Sequence, residues 1–157
     1  MLKNDTLEVK FKSFGGALSS IKDREGTEYL WQGDKKYWSG QAPVLFPICG
    51  SIRQDQAVTK SGKNLVMPRH GIVRKREFEC VKQTEKKIIF AIESDEDMLR
   101  QYPYPFRLEI EYILTGNTIR TEYHVMNQGS EAMPFFIGGH PGFRCPLFDT
   151  EQYKDYR

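Results

Sequence analysis

From Phe106 to Leu114 every second residue is apolar: Phe106, Leu108, Ile110, Tyr112 and Leu114, with Arg107, Glu109 and Glu111 at alternate positions. A side-chain period of two belongs to an extended strand with one face buried and the other wet. Gly116-Asn117 then supplies a two-residue hairpin turn, and Ile119, Tyr123 and Val125 carry the alternation back. The same punctuation recurs along the chain. Segments 77–83 and 87–93 flank Thr84-Glu85-Lys86, 56–60 and 64–67 flank Ser61-Gly62, and 7–11 and 17–23 flank Phe14-Gly15-Gly16. Only 95–102 reads as helix, with acids in its first turn and Pro103 and Pro105 to stop it.

These signals predict an all-β chain: an antiparallel β-sandwich with one short helix, in which 1–157 is a single domain. A net charge of +2 gives no electrostatic case for a nucleic-acid partner. The basic runs 69–76 and 82–87 are interleaved with other residues and read as solvated strand faces. Three widely spaced cysteines, Cys49, Cys80 and Cys145, contain no Cys-x-x-Cys pair, and His124, His140 and Cys145 do not fall at zinc-site spacing. Free and mostly buried thiols in a cytoplasmic protein are therefore expected. The N-terminus lacks an apolar signal segment and no stretch is long enough to span a membrane.

The run 135–143, Phe-Phe-Ile-Gly-Gly-His-Pro-Gly-Phe, carries the chemistry. Glycines let a ligand approach the backbone closely, and Pro141 fixes the chain just beyond His140. Imidazole is the side chain that titrates near neutral pH, so a histidine held at the mouth of a β-structure can serve as a general acid. A packed, hydrogen-bonded histidine in a strand-to-loop turn is the bland alternative for an isolated residue of this type. Trp38 likewise reads either as core or as an apolar platform for a ligand.

Trp38, the stretch 43–50 (Pro-Val-Leu-Phe-Pro-Ile-Cys-Gly) with Arg53 behind it, the stretch 67–74 (Met-Pro-Arg-His-Gly-Ile-Val-Arg) and the Gly-Gly-His-Pro run together resemble the aldose 1-epimerase (galactose mutarotase-like) family, and most of all its bacterial LacX-type branch. The resemblance implies a galactose mutarotase-like supersandwich that interconverts the anomers of a free hexose by acid/base ring opening, with no metal or organic cofactor. It implies that His140 is catalytic, protonating the ring oxygen, and that His70, Arg53 and Trp38 bind the substrate. His124 matches no family site and is expected on the surface or in a strand pair.

The same resemblance implies a longer protein. The chain reads as the N-terminal portion of a truncated sandwich, with the glutamate that acts as base lying beyond Arg157 and open strand edges that invite pairing with another copy. Two alternatives stay open. One is a non-catalytic carbohydrate-binding module. The other is a hexose-6-phosphate 1-epimerase, suggested by Arg53, Arg69 and Arg74 around the second histidine.

Overall fold

The computed structural model describes residues 1–156. In chain order the strands are β1 (Leu2–Lys3), β2 (Glu8–Lys12), β3 (Ala17–Lys22), β4 (Val44–Leu45), β5 (Gln56–Val58), β6 (Asn64–Val66), β7 (Glu79–Gln83), β8 (Lys87–Glu93), β9 (Phe106–Thr115), β10 (Thr118–Asn127) and β11 (Gly138–Gly139). The helix α1 (Glu96–Gln101) lies between β8 and β9. The strands pair as β1-β2-β3, β10-β9-β8-β7, β11-β4 and β5-β6, all antiparallel.

The longest hairpin follows directly from the alternation. β9 and β10 stay in register from Thr115↔Thr118 to Phe106↔Asn127 without a slip, turning at Gly116-Asn117. Leu108, Ile110, Tyr112 and Leu114 are all buried, and Ile88, Phe90 and Ile92 of β8 join them on the same face. This face packs on the three-stranded sheet, where the Phe11 ring lies 4.8 Å from Tyr112 and 6.1 Å from Phe90. Tyr112, fully buried, donates its hydroxyl to the Gly16 carbonyl at 2.9 Å and ties the two sheets together. Burial pushes the Tyr112 hydroxyl far above the ordinary phenol range, so it remains a donor.

The helix is short for a local reason. Asp95 caps it by accepting from the Met98 amide at 2.7 Å, and Met98 is its one buried residue. Tyr102 is already extended, because the residue before a proline is pushed out of the helical region. A second aromatic cluster forms around Phe46, whose ring lies 4.9 Å from Phe106 and 6.2 Å from Tyr102. It anchors β4, whose run 44–48 is buried throughout. That run does not alternate because neither of its faces meets water.

Four expectations need correction or addition. The three cysteines are exposed, since each sits on a loop or an edge strand where no second layer covers it. The basic run around Arg74 is not a strand but a 3-10 turn, Val73–Lys75. The strand β1 and the pairing of β4 with β11 were not anticipated, the first being two residues long and the second joining segments far apart in sequence. No described helix is long and apolar enough to cross a membrane.

Candidate functional site

Both histidine segments hang on the segment containing β4. On one side 136–142 runs antiparallel to 41–47 in a register that never slips. The amides of Phe136, His140 and Gly142 donate to the carbonyls of Pro47, Pro43 and Gln41 at 2.9, 3.0 and 2.7 Å, with Gly138↔Leu45 and Gly139↔Val44 between them. On the other side Gly71 pairs with Phe46 in a parallel bridge, and the Ile72 amide donates to the Phe46 carbonyl at 2.9 Å. Gly71 is obligatory here. Its φ is +76°, and a Cβ would lie 2.0 Å from the Phe46 carbonyl oxygen.

His140 is exposed, and among the described residues its ring takes part in no hydrogen bond. Because 138, 140 and 142 share one face of an extended segment, what covers the two glycines flanks the imidazole. A Cβ on Gly142 would meet the Trp38 ring at 2.5 Å, and the Trp38 ring stands edge-on to His140 at 5.3 Å and 86°. Trp38 is half-buried and is held from behind, its carbonyl accepting from the Trp31 indole N–H at 2.7 Å.

On the other flank a Cβ on Gly138 would lie 3.1 Å from the Cys49 Sγ. The sequence reading missed Cys49 as a site residue. No local signal could have found it, because Cys49 comes to Gly138 only through the long-range pairing of β4 with β11.

His70 stacks on His140, with ring centroids 6.0 Å apart and 28° between planes. It adopts φ +69°, a left-handed backbone that only a few per cent of non-glycine residues take. Gly50 holds it twice: the His70 amide donates to the Gly50 carbonyl at 2.7 Å, and the Gly50 amide donates to His70 Nδ1 at 3.0 Å. A neutral imidazole has one lone pair to offer. The backbone amide claims it at Nδ1, which leaves the proton on Nε2. The Arg69 Nε lies 3.1 Å from that Nε2. Two N–H donors therefore face each other there, and the contact is a close approach rather than a hydrogen bond. Burial first, then the charges of Arg69, Arg74 and His140, hold the His70 imidazole below its ordinary range, so it is neutral near pH 7.

Arg53 opens the 3-10 turn Arg53–Asp55, three residues beyond Gly50. It is exposed, and among the described residues its guanidinium makes no hydrogen bond or ion pair. The structure thus brings His140, His70 and Trp38 into one cluster and leaves Arg53 on the adjoining turn. No carboxylate among the described residues pairs with His70, His140, Arg53 or Arg69. An apolar cavity of ≈ 570 Å³ lined by Leu18, Ile21, Ile119 and Phe143 opens elsewhere, and neither His70 nor His140 lines it.

A family model described as aldose 1-epimerase matches residues 1–155. The chain belongs to the aldose 1-epimerase family. Among curated relatives of this family, the plasmid-borne protein LacX of Lactococcus lactis subsp. lactis is 49% identical over 160 residues, covering 99% of this chain and 54% of the relative. Among solved structures, a galactose mutarotase related enzyme from Lactobacillus acidophilus superposes with a TM-score of 0.93 at 32% identity, covering 98% of this chain and 51% of that one. A galactose mutarotase-like protein from Lactobacillus casei superposes with a TM-score of 0.88 at 30% identity, covering 95% and 51%. The chain spans about half the length of the curated relatives it matches.

His124 stands apart from the family's motifs and from this cluster. It is exposed on β10, where Glu111, Glu122 and His124 bring ligand atoms within 4.8 Å of one another. Lys87 already pairs with Glu111 and Arg120 with Glu122, each at 2.9 Å, so the carboxylates there are neutralised by the sheet's own cations. What the cluster of His140, His70, Trp38 and Cys49 offers is an unbonded imidazole at His140, an N–H donor at His70 Nε2, and apolar or soft walls from Trp38 and Cys49.

Proposed function

We propose that this chain supplies the acid side of an aldose 1-epimerase site and takes part in interconverting the anomers of a hexose inside the cell. The observation that carries the reading is the stacking of His70 on His140 with Trp38 at the edge of the His140 ring. In the reaction His140 gives a proton to the ring oxygen while a base removes the proton of the C1 hydroxyl. The C1–O5 bond breaks and C1 becomes a carbonyl. After rotation about C1–C2 the ring recloses with both proton transfers reversed. A positioned acid and a positioned base each contribute about 10²–10⁴-fold.

His70 Nε2–H donates to a sugar hydroxyl and orients the ring. Arg53 offers a planar fork that can donate to two neighbouring oxygens, and Trp38 presents an apolar edge beside His140. The base is assigned to residues outside 1–157. Two observations support this: no described carboxylate pairs with the histidines, and relatives of the family are about twice as long.

Two measurements on the same protein test the reading: calorimetric titration with D-galactose, and polarimetry of freshly dissolved α-D-galactose. Binding that is weakened in His70→Ala and a rate above buffer that is lost in His140→Ala are the expected results. No binding and no rate above buffer would remove the carbohydrate assignment. The second reading, a sugar-binding module without turnover, draws on the observation that no described carboxylate pairs with His70 or His140. It predicts binding with the buffer rate unchanged.

A further inference from the structure

Segment 31–41, in the connection from β3 to β4, is built around Gly142. Its two ends bond to that one residue: the Trp31 amide donates to the Gly142 carbonyl at 2.8 Å, and the Gly142 amide donates to the Gln41 carbonyl at 2.7 Å. The Gln41 side-chain amide crosses between the ends and donates to the Trp31 carbonyl at 3.3 Å. Asp34 makes the turn within the segment. Its carbonyl accepts from the Tyr37 and Trp38 amides at 3.1 and 2.8 Å, and its carboxylate accepts from the Lys36 amide at 2.8 Å. Because Gly142 lies two residues beyond His140, the whole segment is fixed to the strand that carries the proposed acid.

What this segment displays is a row of aromatic rings. Trp38 meets His140 at 5.3 Å. Trp31 donates its indole N–H to the Trp38 carbonyl at 2.7 Å, and a Cβ on Gly142 would lie 3.3 Å from the Trp31 Cβ as well as 2.5 Å from the Trp38 ring. Tyr37 stands edge-on to Trp31, with centroids 6.5 Å apart and 70° between planes. Trp31 and Trp38 are half-buried, whereas Tyr37 is 71% exposed. A large ring held in water on a fixed turn has lost its freedom without gaining burial, and a ligand with an apolar face would find it already in place. A pyranose has such a face in its C–H groups, while its hydroxyls stay at the rim. We propose that the ligand of this site is a reducing oligosaccharide: the ring with the free anomeric hydroxyl lies against His140 and Trp38, and the sugar attached to it extends along Trp31 to Tyr37. The proposal rests on the carbohydrate reading above and narrows its substrate class.

The test titrates the protein by calorimetry with two series, D-galactose with its 1,4-β-linked dimer and trimer, and D-glucose with maltose and maltotriose. Trehalose, which has no free anomeric hydroxyl, is the control. In at least one series an oligosaccharide is expected to bind at least about fivefold more tightly than the hexose at its reducing end. That ratio should fall to one in Tyr37→Ala and persist in Tyr37→Phe, which keeps the ring. It should also persist in Tyr153→Ala, since the exposed Tyr153 lies on another turn. If both hexoses bind as tightly as their oligosaccharides, or the ratio survives in Tyr37→Ala, this inference fails and the carbohydrate reading stands. If trehalose binds as tightly as the best reducing sugar, the row works apart from His140 and the inference fails. If no sugar binds, both fall together.

Discussion

Replacing Gly71 with alanine puts the whole geometry at risk through a single methyl group. The residue sits at φ +76°, and the new Cβ would lie 2.0 Å from the Phe46 carbonyl oxygen and 2.4 Å from its carbon. Both obstacles are backbone, so no rotamer can relieve them. The left-handed conformation alone costs an alanine about 1–2 kcal/mol. Relief of the overlap must separate Gly71 from Phe46, which threatens the Ile72-to-Phe46 and His70-to-Gly50 hydrogen bonds at 2.9 and 2.7 Å. Each is worth about 1 kcal/mol net. The expected loss is therefore about 2–4 kcal/mol, read from the urea midpoint at constant slope. Ring nitrogen shifts of His70 should change in the same variant, because the Gly50 amide can no longer reach Nδ1 at 3.0 Å. A Gly71→Ala protein with a midpoint within 0.5 kcal/mol of the parent (about the scatter of surface substitutions) and unchanged His70 signals would refute the reasoning.

Tyr112→Phe should cost about 1–2 kcal/mol, since the Gly16 carbonyl then stays buried without its donor; an unchanged urea midpoint would contradict that link between sheets. His70 is held below the ordinary imidazole range, so the unfolded chain takes up its proton first. The stability it contributes is complete above about pH 6.5 and falls as pH drops from there toward the lowered folded value. Urea midpoints between pH 8 and pH 5 should show this decline, with a flatter profile in His70→Gln. Finally, a saturating sugar ligand should slow alkylation of Cys49 by iodoacetamide while leaving Cys80 and Cys145 unaffected, as read by peptide mass spectrometry. Equal rates at all three thiols with sugar bound would place the ligand elsewhere.

Much of the fold was legible because its signals are local. The alternation from Phe106 to Leu114, the Gly116-Asn117 turn and the acids that open the short helix each act within a few residues, and each appears where expected. The pairing of β4 with β11 was not legible. It joins segments about ninety residues apart, and the apolar run 44–48 shows no period to announce a strand. His140, His70 and Trp38 could be named from their motifs, yet nothing in those motifs says that the two imidazoles lie on opposite edges of one strand. The tautomer of His70 depends on a backbone amide twenty residues away. Cys49 was misjudged because hydrophobic neighbours suggest burial, whereas it lies where the chain emerges from the core.

The unbroken ladder between 136–142 and 41–47 makes the chemistry sensitive to chain length in a way that the surrounding loops are not. Side chains change sides at each step along such a ribbon. One amino acid inserted between Phe136 and His140 would swing the imidazole toward Tyr123, whose hydroxyl lies 2.7 Å from where a Gly139 side chain would begin. The same insertion in the exposed turn at Ser61-Gly62 would alter nothing near the histidines. Length variation within descendants of this sequence should therefore gather on the turns and spare these seven positions.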